Sequence, residues 1–136
     1  MAEAPRASQG VIDTSVVDLD QIDAEQLPNE LAISVLTMAE LAAAPHATSD
    51  TAERARRQDR LQRAEATFDP LPFDGDSARA YGRIYAAIVA TGRKARGPRA
   101  VDLLIAATAL AANLPLYTRN VDDFRGIEHL LTIVGV

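Results

Sequence analysis

Four short apolar runs that stop at polar turns, with helical segments among them, limit this chain to one class of architecture. GVI ends at Asp13, LAISV covers 31–35, LPLYT covers 114–118, and LLTIVGV closes the chain. Runs of this length bounded by turn residues read as buried strands. After the second run, TMAELAAA reads as a helix: Thr37 and Glu40 stand three apart, the spacing of a capping box, and Pro45 ends it. SDTAERARRQDRLQRAEATF is a second helix with Ser49 or Asp50 as its cap. PLPF is a brief extended piece. A third helix begins near Asp76, where Tyr81, Ile84, Tyr85 and Ile88 recur on one face and are all expected in the core. The fourth is the alanine-rich segment from about residue 100 to 112. Residues 18–30, acidic and containing Pro28, read as loop or a short irregular helix. Strands alternating with helices argue an α/β domain with a mainly parallel sheet. Neither an internal repeat nor a dividing linker interrupts it. The expected organisation is one domain over 11–136 behind a flexible tail, 1–10.

Composition narrows the chemistry. Of 136 residues, 48% are apolar and 24% charged, as in a globular domain of ordinary core size. The chain has no Cys, which excludes disulfides, thiolate metal sites and a Cys nucleophile. With only His46 and His129, a zinc site built mainly from His is also disfavoured. Oxygen ligands remain, and these suit Mg²⁺ or Mn²⁺. The leading MAEAPRASQG lacks the apolar centre of a signal peptide, and no run reaches the roughly 20 residues needed to cross a bilayer. A cytoplasmic location is the default expectation, with no membrane partner.

Charge is unevenly spread. Residues 1–50 carry nine acids against Arg6 alone, whereas 79–99 carry Arg79, Arg83, Arg93, Lys94, Arg96 and Arg99 with no acid. A net charge of −5 therefore leaves room for a basic face toward a polyanion. Arg93, Lys94, Arg96 and Arg99 lie just ahead of Asp102 and are weak candidates for RNA phosphate contacts, weighed against plain solvation. The arginines of the second helix are balanced by Glu53, Asp59 and Glu65, so that helix reads as a solvated face or a partner surface.

The acids fall where a parallel sheet binds ligands, beyond the carboxyl ends of its strands. Asp13 follows the first strand, and Glu40 lies early in the helix after the second. Asp102 heads the helix leading into LPLYT. Asn120, Asp122 and Asp123 follow that strand. Singly, each acid has a plain structural role: an Asx-turn for Asp13, a cap for Glu40, a helix-dipole partner for Asp102. Together, carboxylates this close need a cation between them. A divalent hard ion there would serve phosphodiester hydrolysis.

VIDTSV, ISVLTMAEL, AVDLLIAATAL and LYTRNVDDF, in that order and register, resemble the PIN-domain ribonucleases, and more closely the VapC toxins of bacterial toxin–antitoxin pairs. The resemblance runs from about Val11 to the end of the chain. It implies a PIN-like three-layer α/β/α fold and a Mg²⁺- or Mn²⁺-dependent endoribonuclease. It also implies a homodimer, a cognate VapB-type antitoxin, and tRNA or ribosomal RNA as substrate. Its invariant acids map onto Asp13, Glu40 and Asp102 as catalytic and metal-holding residues. Many relatives have an Asp where this chain has Asn120; Asp123 is taken as the fourth catalytic carboxylate, and the amide oxygen of Asn120 is the other group able to complete the site. Thr14, Ser15, Thr118 and Asn120 are expected to orient ligand carboxylates or water. The interval from Asp13 to Glu40 is short for the family, which implies a clipped first helix.

Two other acid-rich α/β classes fit poorly. A phospho-acceptor receiver needs a late Lys, and the single Lys is Lys94; an acid-loop phosphatase needs an acid two residues after Asp13, where Ser15 stands. The remaining alternative is a catalytically inert PIN-like module that binds RNA or a protein.

Overall fold

The computed structural model describes residues 8–18, 22–95, 97 and 99–136. Strands β1 (Gln9–Ile12), β2 (Glu30–Ala32), β3 (Leu116–Thr118) and β4 (Ile133–Gly135) form one sheet in the order β2-β1-β3-β4. Every pairing is parallel: Val11 stands between Ala32 and Leu116, and Tyr117 lies opposite Val134. The helices are α1 (Val35–Ala43), α2 (Thr51–Thr67), α3 (Gly75–Ala90) and α4 (Arg99–Ala111), all between β2 and β3.

Alternation along the strands sorts the core into two faces. Val11 and Leu116 enter one cluster with Ile84 and Ile88 of α3 and Leu103, Ala106 and Ala107 of α4. Ile12 and Tyr117 enter the other with Val16, Leu27 and Ile33, against which Met38 of α1 and Phe68 pack. Leu41, Leu61 and Ala64 then hold α2 on α1. The result is the expected three-layer arrangement. The alanines of α4 are its means of close approach: Ala106, Ala107 and Ala109 are completely buried, and small side chains let the helix lie tightly between α3 and the sheet.

Several local expectations shift. Helix α1 starts two residues before Thr37, because Ser34 leaves the strand and its Oγ accepts from Thr37 N at 3.1 Å. The Thr37–Glu40 capping box therefore does not form, and Glu40 lies in the helix interior with its carboxylate free for another partner. Tyr85 is 36% exposed rather than in the core, while Ile84 and Ile88 are fully buried and Tyr81 is half-buried, its ring centroid 6.1 Å from that of Tyr85. The cause is rotational: Tyr85 lies one residue past Ile84, turned out of the stripe that faces α4. Asp50 caps α2 and Asp74 caps α3, which begins at Gly75, one residue ahead of the expected start at Asp76. β1 takes in Gln9 and Gly10, which the sequence assigned to the tail, and the last strand contracts to Ile133–Gly135. The described residues between Asp13 and β2 hold only two 3₁₀ turns, Thr14–Val16 and Ala24–Gln26, in keeping with a clipped first helix. Among the described residues no helix is long and apolar enough to cross a membrane.

Gly10 admits β1 to the sheet. A Cβ there would stand 2.5 Å from Tyr117 Cε1 and 3.0 Å from Pro28 Cγ, and Tyr117 is itself buried. Gly10→Ala should therefore lower unfolding stability by about 1–3 kcal/mol through overpacking, as read by urea denaturation.

Candidate active site

The strand order reverses direction at β1. The chain passes from β1 to β2 on one side and later returns to β3 on the other. A crevice opens beyond the carboxyl ends at such a switch point. Asp13 is the first residue after β1, and Thr118 is the last of β3.

Asp13 is only 4% exposed. Its Oδ1 accepts from Ser15 N at 3.0 Å and from Ser15 Oγ at 2.5 Å, capping the Thr14–Val16 turn. The Asx-turn is thus real, but it fixes the carboxylate without neutralising it. Burial pushes the Asp13 carboxyl above the usual range; hydrogen bonds from Ser15 and Thr118 work against this, and the Asp123 charge adds to it. Ser15 Oγ also accepts from Arg119 N at 3.1 Å, and Thr118 Oγ1 from Asn120 N at 3.0 Å. The two hydroxyls lace the ends of β1 and β3 together.

Asp102 lies in the first turn of α4 and is half-buried. Burial pushes it up to about 6, followed by repulsion from Asp123, Asp13 and Glu40; Arg99 pulls it down. Four carboxylates from four separate segments thus share one electrostatic field. Glu40 is oriented across the cleft, where Thr14 Oγ1 donates to its Oε1 at 2.5 Å. Asp123 sits in the 3₁₀ turn Val121–Phe124, anchored by buried Phe124, with Asp123 N donating to Asn120 O at 3.0 Å. Asn120 is exposed, and its side chain caps nothing. The field therefore draws its fourth charge from Asp123.

The basic residues divide. Arg93 Nη1 donates to the carbonyls of Asp122 (3.1 Å) and Arg125 (3.0 Å), and Arg99 Nη1 to that of Asp123 (3.0 Å). Lys94 is exposed, and Arg96 lies outside the described residues. Sequence reasoning passed over Thr37 and Arg119. Thr37 Oγ1 is 3.4 Å from Thr14 Oγ1, and Arg119 bridges the turn after β1 through its amide and through Nη2 to Asp18 O at 3.4 Å. Thr37 stood three residues before Glu40 on the same helix, a signal spent on the capping box. A groove of about 770 Å³ runs along α2 between Arg56, Arg57, Arg60 and Arg63 and the segment Val17–Asp18, separate from the four acids.

The donor set is all oxygen and anionic, the chemistry of a hard divalent ion. Among the described residues no three His, Cys, Asp or Glu side chains already close on a single point, so the acids form a shared field rather than a finished cage.

The chain belongs to the PIN-domain family, matching it over residues 11–130. Within the family it is similar to VapC proteins. It is 36% identical over 132 residues to ribonuclease VapC5 of Mycobacterium tuberculosis, covering 94% of this chain and 93% of the relative. Among solved structures, VapBC-5 of the same organism, a member of the VapBC family of toxin–antitoxin systems, matches with TM-score 0.84 and 34% identity over 95% of this chain and 99% of that one. VapBC-1 of nontypeable Haemophilus influenzae matches with TM-score 0.73 and 25% identity, covering 93% and 97%.

Proposed function

We propose that this chain is a VapC-type toxin that hydrolyses RNA phosphodiester bonds with a divalent metal, Mg²⁺ or Mn²⁺, held by Asp13, Asp102 and Glu40 with Asp123 beside them. One observation carries the reading. Asp102, held on a rigid helix at the sheet's switch point, has its carboxyl driven up to about 6 by burial and three other acids. Acids so arranged cost stability beyond what the cap after β1 returns, as clusters at functional sites do. A bound ion would offset the acids, polarise a phosphoryl oxygen and lower the pKa of a water.

The chain's own groups supply the rest. Ser15 and Thr118 hold Asp13 in place, and Thr14 sets the direction of Glu40. Buried Thr37 backs Thr14 and keeps that corner polar. Thr14→Val should lower RNA cleavage by about 10- to 100-fold, because a ligand acid loses the group that orients it. Circular dichroism should show an unchanged fold, and single-turnover cleavage reads the loss.

A VapB-type antitoxin as partner rests on the structural relatives being toxin–antitoxin assemblies. A homodimer and a tRNA or ribosomal RNA substrate rest on the family resemblance. The test is incubation of total RNA with the antitoxin-free chain in Mn²⁺ and in EDTA. Discrete products in Mn²⁺ alone are expected. The alternative, an inert binding module, draws on the absence of a closed carboxylate cage among the described residues. It requires the same RNA pattern in both tubes.

A further inference from the structure

We propose that Arg99 and Arg93 are positioning residues that pin the Val121–Phe124 turn, keeping the Asp123 carboxylate within electrostatic reach of Asp102. The inference rests on the nuclease reading and assigns these two arginines to the acids rather than to RNA.

The turn needs such a restraint. Asp123 is the acid that acts most strongly on Asp102, and it also acts on Asp13, so keeping the turn where it is holds like charges together. The turn's own bonds are local: Asp123 N donates to Asn120 O at 3.0 Å, and Asp122 pairs with Arg125. Val121 and Asp122 are exposed, the side chain of Asn120 forms no cap, and Phe124 is the one residue of the turn that is buried. Three hydrogen bonds from distant residues hold its carbonyls: Arg99 to Asp123, 24 residues away, and Arg93 to Asp122 and Arg125, 29 and 32 residues away.

The placement of Arg99 is specific. It is the first residue of α4 and lies three before Asp102, so both side chains share one helix face. One helical turn therefore carries an acid and the tether that holds the next acid near it. The guanidinium also places a permanent positive charge beside the carboxylates and pulls Asp102 down. Arg93 works from the other end, beyond α3, and spans both sides of the turn. Carbonyl oxygens are what a turn offers on its outer side. Arg93 holds two of them at once through the two hydrogens of a single nitrogen, Nη1.

The competing role for both residues is contact with RNA phosphates, and the two roles separate in measurement. Three readouts suffice on the full, antitoxin-free chain: parent, Arg99→Gln and Arg93→Gln. The first is amide hydrogen exchange over residues 121–127, which needs neither metal nor RNA. Both variants should exchange there about tenfold faster while the β1 and β3 amides keep their protection. The second is Mn²⁺ binding followed by the electron paramagnetic resonance of free Mn²⁺, where Arg93→Gln, which leaves the Arg99 charge beside Asp102 in place, should weaken affinity by about tenfold. The third is cleavage kinetics: kcat should fall, with KM and the salt dependence of KM unchanged. Unchanged exchange and Mn²⁺ affinity, with raised KM and a shallower salt dependence, would make the arginines phosphate contacts and overturn the proposal. If the parent neither binds Mn²⁺ nor cleaves RNA, the nuclease reading fails by itself. Exchange over the turn then still decides the tether, faster exchange upholding it and unchanged exchange overturning it.

Discussion

Asp102→Asn should reduce RNA cleavage by about 10³-fold or more while leaving the protein folded. Asparagine keeps the size and the oxygen of the side chain and removes only the charge. The magnitude follows from what a bound divalent ion contributes, several kcal/mol of charge stabilisation, at about 1.4 kcal/mol per factor of ten. Folding should survive because Asp102 is half-buried in the first turn of α4, and the buried packing of that helix comes from Leu103, Ile105, Ala106 and Ala107. Asp13→Asn is a poorer test. Asp13 is nearly fully buried and caps the turn after β1, so its loss would confound folding with chemistry. Cleavage of total RNA by equal amounts of parent and Asp102→Asn, in Mn²⁺, reads the effect directly. Equal rates from the two proteins would remove Asp102 from the reaction and with it the metal-nuclease reading.

The acids were legible in the sequence because a parallel sheet leaves little freedom in where its strand ends point. Once GVI, LAISV and LPLYT read as strands, Asp13, Glu40 and the Asn120–Asp123 loop had to gather at one edge. Asp102 followed from the helix leading into LPLYT. What the sequence did not disclose are the pairings that cross it. The bond from Thr14 to Glu40 spans 26 residues, and that from Arg99 to Asp123 spans 24. Neither leaves a periodic trace, since each depends on where two helices settle on the sheet. Arg93 and Arg99 illustrate the difficulty: a basic loop beside a polyanion site suggests phosphate contact, and only tertiary placement shows their donors turned to carbonyls. The Thr37–Glu40 spacing misled for a related reason. The residue pattern of a capping box was present, but Ser34 was nearer the end of the strand and capped first.

Without metal, the same cluster should make the protein less stable as pH rises from about 4 to about 6. Asp102 titrates near 3.8 when unfolded and at about 6 when folded. Between those values the folded chain holds a proton that the unfolded chain has released. Stability therefore falls with rising pH, by up to about 1.4 kcal/mol per pH unit, and levels off above about 6. Partial solvent access trims the total to about 2 kcal/mol. Asp13, also raised, acts in the same direction. Glu53, Asp74 and Glu128 are held below their usual range by hydrogen bonds and slope the opposite way, but Asp102→Asn retains all three. Subtracting its denaturation curve from the parent's leaves the contribution of Asp102 and its neighbours. The two proteins should converge near pH 4, and Asp102→Asn should be the more stable above pH 6. Adding Mn²⁺ at pH 7.5 should reverse the order, since ligand at about 100 times Kd returns about 2.7 kcal/mol to the parent alone. Parallel curves, with or without Mn²⁺, would mean that the acids do not press on one another.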